Sequence, residues 1–277
     1  GRIAYPIFDP DRGTFDVFVL DLETNESRKV LQNASQPALD RQGQHIAYRS
    51  WANDKRGLIS RDLGATEEWR FTTFSEAARP RWSPDGETIL FHSREESDRV
   101  SRLYRTQDGE VRGLRRDGEV IKGESPDFVG SEALVYKGCV GNDCGLILSA
   151  LDGSAPRQLT DDLSDTAPAV SPDGSQIAFM SRRSGSWDIY VTDAGGANLT
   201  NLTPADSNEG LPTWSPAGDF IAFLSDRNGS WGLWVMAKDG SNPYQVRQME
   251  GSPDGKVHTA QAFESLGWVE EQISWSP

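Results

Sequence analysis

One short phrase recurs along this chain at a nearly constant interval, and it limits the fold more than any other feature. Pro80-Arg-Trp-Ser-Pro-Asp-Gly86 runs into Thr-Ile-Leu-Phe91, Pro168-Ala-Val-Ser-Pro-Asp-Gly174 into Gln-Ile-Ala-Phe179, and Pro212-Thr-Trp-Ser-Pro-Ala-Gly218 into Phe-Ile-Ala-Phe223. Pro37-Ala-Leu-Asp-Arg-Gln-Gly43 leads to His-Ile-Ala-Tyr48, and a worn copy opens at Pro126 and reaches Ala-Leu-Val-Tyr136. The prolines at 37, 80, 126, 168 and 212 lie 43, 46, 42 and 44 residues apart. A fixed period of this size means one supersecondary unit repeated against its neighbours.

Each unit has one internal order. A short strand ends in the Ser-Pro-Asp-Gly turn, where Pro presets φ, Asp bonds local backbone and Gly accepts a positive φ. An Ile-Ala-Phe strand follows, then a polar loop such as Ser181–Ser186 or Ser225–Ser230. A third strand comes next, Trp187–Val191 or Trp231–Val235, and then a turn and an outer strand such as Arg157–Thr160. Four short strands in about 44 residues is the size of a β-propeller blade. No useful helical period accompanies them.

The first segment reads as a unit that lacks its inner strand. Ile3–Tyr5, Asp16–Leu20 and Arg28–Leu31 match the second, third and fourth strands, and Ile273-Ser-Trp-Ser-Pro277 at the other end matches the missing first one. The expectation is therefore all-β: a closed six-bladed propeller of four-stranded antiparallel blades, with the first blade completed by the C-terminal strand. The blades fall at 1–33 plus 271–277, 34–76, 77–122, 123–164, 165–208 and 209–270, within one domain spanning 1–277. Residues 248–271 are read as an extended outer-strand and closure insertion with Trp268 packed under the ring; a partial seventh blade is the rival reading. The opening at Gly1, with no Met and no signal peptide, suggests a processed or excised piece.

Charge and composition narrow the function. The chain has 42 acidic and 28 basic side chains, a net charge of -14, and no basic run. That argues against nucleic acid and against an anionic membrane surface. No apolar stretch reaches the ~18 residues of a spanning helix. There is no Gly-x-Ser-x-Gly elbow, P-loop or dinucleotide fingerprint. The three histidines, His45, His92 and His258, form no metal-ligand spacing. Cys139 and Cys144 flank a turn between two strands, close enough for a disulfide and unlike a Cys-x-x-Cys motif; a disulfide fits an oxidising, extracytoplasmic compartment.

Two sets of residues are candidates for a site. Acids recur just before the first strands, at Glu76, Glu124, Asp165 and Glu209, with Glu271 at the closure. If they converge at one rim of the channel, they form a ring for a hard cation such as Ca²⁺, with Asp165 and Glu209 as ligands, or for a basic group. The alternative is that each caps its loop or pairs with an arginine of the set Arg79, Arg94, Arg182, Arg183 and Arg227. The loops on the same rim carry Trp51, Trp187 and Trp231 with Arg49, Arg183 and Arg227, residue types favoured at binding surfaces. Trp82, Trp214 and Trp275 share one repeated slot beside the Ser-Pro turn and are read as packing between blades.

The Trp-Ser-Pro-Asp-Gly phrases resemble the repeats of the TolB-like β-propeller family over nearly the whole chain, in the propeller part only; the family's N-terminal domain has no counterpart in these residues. The resemblance implies ligand or peptide binding at the mouth of the channel and an extracytoplasmic location. It leads to a non-catalytic module that recognises a protein, peptide or small ligand, or that docks with another domain of a longer parent chain. A metal-dependent hydrolase or lyase with Ca²⁺ in an acidic channel stands as the alternative.

Overall fold

The computed structural model describes residues 1–94, 97–258 and 267–277. Among them six antiparallel sheets of four strands each form the blades. From the inside outwards, blade 1 is Ser274–Ser276, Arg2–Asp9, Thr14–Asp21 and Glu26–Gln32; blade 2 is Ala34–Leu39, His45–Ser50, Gly57–Asp62 and Trp69–Arg70. Blade 3 is Ala78–Trp82, Ile89–Arg94, Ser101–Gln107 and Glu110–Gly113; blade 4 is Gly123–Val129, Ala133–Val140, Asp143–Ala150 and Arg157–Gln158. Blade 5 is Thr166–Val170, Gln176–Ser181, Asp188–Asp193 and Thr200–Asn201; blade 6 is Glu209–Trp214, Phe220–Ser225, Gly232–Ala237 and Tyr244–Gln248. A small extra hairpin, Arg115–Arg116 with Glu119–Val120, joins blades 3 and 4.

Each inner strand touches the inner strands of both neighbouring blades, and the cycle closes through Ser274–Ser276. That strand pairs with the first strand of the chain, Ala4 opposite Ser274 and Arg2 opposite Ser276. The edge of blade 1 is thereby covered. The core is divided by blade interface. One apolar cluster joins blades 1 and 2 (Ala4, Val17 and Val19 with Ile46 and Tyr48), another blades 4 and 5 (Val135 and Leu146 with Ile177 and Phe179). Further clusters seal the other four junctions. Burying one such Leu, Ile or Phe contributes roughly 1.5–3 kcal/mol.

The repeated turn forms as its residues dictate. The Gly86, Gly174 and Gly218 amides donate to the carbonyls of Ser83, Ser171 and Ser215 at 2.8–2.9 Å, and all three glycines have φ between 73° and 78°. Trp82 donates Nε1–H to the Ala38 carbonyl of the preceding blade, and Trp214 does the same to Ala169, at 3.0 and 2.9 Å. The repeated tryptophan is thus a latch between blades. Cys139 and Cys144 are disulfide-bonded across the hairpin of blade 4.

Beyond Gln248 the chain leaves blade 6 and crosses blade 1. The Phe8 amide donates to the Ser252 carbonyl at 2.8 Å, and Val257 is buried with Phe15 and Trp51. The third Ser-Pro-Asp-Gly phrase, at 252–255, works here as an anchor rather than as a blade turn: Asp254 accepts the Trp268 amide at 3.0 Å. Trp268–Glu270 is a short 3₁₀ turn leading into the closing strand.

Removing residues 271–277 exposes the Arg2–Asp9 edge and the apolar junction between blades 6 and 1. We expect the truncated chain to aggregate or to melt many degrees below the full chain, as read by size-exclusion chromatography and thermal unfolding. A monodisperse truncation with the parental midpoint would show that closure does not depend on this strand.

Candidate functional site

The inner strands share one distortion. Gln36, Arg79, Ser125, Ala167 and Leu211 each precede the repeat proline and have φ between 52° and 56°. The ladder shifts register across each of them. Proline offers no N–H to the ladder, so the strand bulges there. The bulge frees the preceding amide to reach across a blade junction. Gln36 N–H donates to Glu271 Oε2 at 3.0 Å, Arg79 N–H to Gln36 Oε1 at 2.8 Å, and Ser125 N–H to His92 Nδ1 at 3.1 Å. A backbone donor at Nδ1 requires that nitrogen to be unprotonated, and burial pushes the His92 pKa well below its ordinary value.

At the rim where the first strands begin, the C-terminal segment lies across the channel mouth. Gln36 Nε2 and Arg79 Nε donate to the Glu270 carbonyl at 2.9 and 3.2 Å, and Arg79 also reaches the Val269 carbonyl. Arg94 pairs with Glu270 at 3.2 Å. Deeper in, Gln272 Nε2 binds the carbonyls of Gln36, Pro37 and Pro80 at 3.0–3.1 Å. Beside this strap remains a cavity of about 270 Å³ whose wall includes Arg49, Arg79, His92, Arg94, Glu124 and Lys137. Burial lowers the pKa of Arg49 and of Arg79 to about 10, which leaves both cationic near neutrality.

The residues singled out in the sequence separate into three groups. Glu76, Glu124 and Trp187 do line this cavity. Glu76 is ion-paired with Arg99, and Glu124 accepts from Ser101 Oγ at 2.8 Å. Asp165 and Glu209 do not join them. Both are fully buried, Asp165 bound by Arg183 at 2.6 Å and Glu209 by Arg227 at 3.3 Å. The two arginines stack on aromatic side chains of their own blades, Arg183 at 5.2 Å from Tyr190 and Arg227 at 4.7 Å from Trp234. Each also donates Nε–H to the serine two residues earlier, Ser181 or Ser225. These are structural clasps. The third group is aromatic. Trp51 is buried beneath Arg49 and donates to Ser35 Oγ at 2.9 Å. Trp187 and Trp231 pack against Trp268, with centroids 6.3 and 4.9 Å away. Trp231 is thus covered by the chain itself, while Trp187 touches Trp268 and still lines the cavity.

The acids fail to form one ring because their offsets differ. Asp165 and Glu209 each precede their proline by three residues, Glu76 by four and Glu124 by two. On a strand a shift of one residue reverses the face. Among the described residues no three His, Cys, Asp or Glu side chains are grouped to hold a metal ion. Asp165 and Glu209, each already held by a guanidinium, do not fit a Ca²⁺ site. His45 is held by Asp40 at 2.8 Å and Asp62 at 3.2 Å, beside the turn of blade 2, and lines neither mouth.

The opposite mouth is a funnel of about 400 Å³ walled by the Ser-Pro turns. Its inner layer is Ala38, Arg81, Asp127, Ala169, Thr213 and Ser274, one residue per blade. Only blades 3 and 4 contribute charge to that layer, and the others leave room. Arg41 reaches over the opening from blade 2 to the Pro172 carbonyl of blade 5 at 2.7 Å. Sequence reading missed this surface, since its only signal was the position one residue after each proline.

These features define a six-bladed propeller built on repeated Ser-Pro turns, with one mouth filled and one open. Residues 125–261 match the TolB beta propeller domain family. No curated protein sequence matches the chain. Among solved structures, TolB from Acinetobacter baumannii is similar over 100% of this chain and 67% of its own, at 20% identity and a TM-score of 0.78. A putative TolB from Agrobacterium tumefaciens is similar over 99% of this chain and 92% of its own, at 17% identity and a TM-score of 0.71. Oligogalacturonate lyase from Vibrio parahaemolyticus covers 90% of this chain and 78% of its own, at 15% identity and a TM-score of 0.59. The family match covers just under half of the chain, and over its whole length the chain has the propeller fold of the TolB structures. At these identities the solved structures establish its fold.

Two outcomes follow from this geometry. Thermal midpoints in excess Ca²⁺ and in EDTA should coincide; a rise in Ca²⁺ of the several degrees that ~2.7 kcal/mol of linked binding produces would reveal a cation site. Glu271 behaves differently with pH. Burial raises its pKa to about 7, against the opposing hydrogen bond from Gln36 N–H and the charge of Arg49. A raised carboxyl favours the protonated folded state, so its contribution is complete below the unfolded value near 4.5 and is lost as pH rises through about 7. The midpoint should therefore fall between about pH 5 and pH 8, and Glu271→Gln should flatten that slope. An unchanged slope in the variant would assign the effect elsewhere.

Proposed function

We propose that this protein is a non-catalytic recognition module working outside the cytoplasm, which holds a protein or peptide segment in the open funnel of its channel. The funnel is the observation that carries this reading. It is large enough for several side chains, and the charged side chains on its wall are Arg41, Arg81, Asp127 and Asp173. Its walls are inner strands locked to one another around a closed ring. A rigid wall loses little ordering entropy on binding, so modest contact area can serve recognition. The likeness to TolB structures supports an interaction module, and the disulfide supports an oxidising compartment.

The test is selection of peptides from a random library on the full chain, followed by affinity measurement against a double variant, Arg41→Glu with Ser131→Trp. Arg41 and Ser131 are exposed and line the funnel, so the variant should keep the parental melting midpoint. Peptides that use the funnel should lose about tenfold or more in affinity, a change of roughly 1.4 kcal/mol. Peptides bound equally well by the variant would place recognition elsewhere and overturn this reading.

A further inference from the structure

The cavity beside the C-terminal strap holds more buried hydrogen-bond donors than the described residues use. Arg49 and Arg79 are 7% and 4% exposed, and both line it. Arg79 gives Nε and Nη2 to backbone carbonyls of the strap, yet its Nη1 has no partner among the described residues. Arg49 Nε is unpartnered in the same way, while the guanidinium face rests 4.0 Å from the Trp51 ring. Buried guanidinium donors without acceptors are costly to keep. The other cations on the wall are Arg94 and Lys137. The wall carboxylates are already engaged, Glu76 by Arg99, Glu124 by Ser101 and Glu270 by Arg94.

We propose that this cavity is a binding site for a carboxylate group, seated against Arg49 and Arg79. A carboxylate is planar and spreads one charge over two acceptor oxygens, which suits guanidinium N–H donors arriving from two directions. A phosphate or sulfate would bring a second negative charge close to Glu124 and Glu270. At about 270 Å³ the space admits a short acid or the end of a chain. The carboxylate arrives either as a free small acid or as the C terminus of a peptide entering past the strap. This site is separate from the funnel at the opposite mouth.

Calorimetric titration of the full chain in a carboxylate-free buffer tests the assignment. The probes are acetate, succinate, and a short peptide with a free or an amidated C terminus, with inorganic sulfate and phosphate as controls. Saturable binding of at least one carboxylate is expected, with Kd of ~1 mM or tighter. Short acids binding alone would assign a free metabolite, and binding abolished by amidation would assign a peptide terminus. Arg49→Lys, which keeps the charge and removes Nε, should weaken binding about tenfold. Lys137→Gln, at the rim with Arg49 intact, should weaken it severalfold and serves if the Arg49 variant does not fold. The proposal is overturned if no carboxylate binds at ~10 mM, in which case the donors meet water only. It is equally overturned if Lys137→Gln and Arg49→Lys both bind like the parent, or if sulfate or phosphate binds as tightly.

Discussion

The channel depends on one backbone constraint, a left-handed residue placed directly before a proline in each of five inner strands. For a non-glycine residue that conformation costs of order 1–2 kcal/mol. The fold accepts it repeatedly because the proline has already broken the ladder at that point. The unpaired amide then becomes a lateral donor: Arg79 uses it to reach Gln36 on the inner strand of blade 2, Ser125 to reach His92 on the second strand of blade 3, and Gln36 to reach Glu271 just before the closing strand. Blades that share only apolar faces could slide; blades whose inner strands exchange hydrogen bonds are held in register. The same bulge decides which side chains meet the channel, and so the positions around each proline carry the chemistry of both mouths.

Much of the architecture was legible because its signal is periodic. The Ser-Pro turns, the Ile-Ala-Phe strands and the C-terminal completion of blade 1 follow from a phrase that local backbone physics reads directly. The closing strand could be aligned to Arg81–Pro84 by composition alone, and its partner is the strand that lacked an inner neighbour. The Cys139–Cys144 pairing was legible for a similar reason, since the two residues face each other across a short hairpin.

The site was less legible because it depends on phase. Asp165 and Glu209 share an offset from their prolines, and Arg183 and Arg227 share one from Ser181 and Ser225. That double match is the mark of a structural clasp inherited by two adjacent units. Glu76 and Glu124 have other offsets and reach the cavity. Type and spacing suggested an acidic rim, whereas the register change at each bulge scattered its members. The contacts that Trp187 and Trp231 make with Trp268 were hidden for a different reason. Their partner, Trp268, belongs to a segment with no repeat, so no periodic argument could show that it touches them.

That segment also makes the two mouths unequal. The residues that close the ring come straight after the strap over the charged mouth, and Glu271 and Gln272 bind inner-strand backbone of blades 2 and 3 within the same stretch. A change that loosens the strap must therefore loosen the join between blades 6 and 1. The funnel has no such dependence, because its wall is made of the turns themselves. Evolution of a binding surface is freest where side chains can vary without opening the ring. In this molecule that freedom lies at the Ser-Pro end, while the charged end is constrained to serve closure first and to bind only what fits in the remaining space.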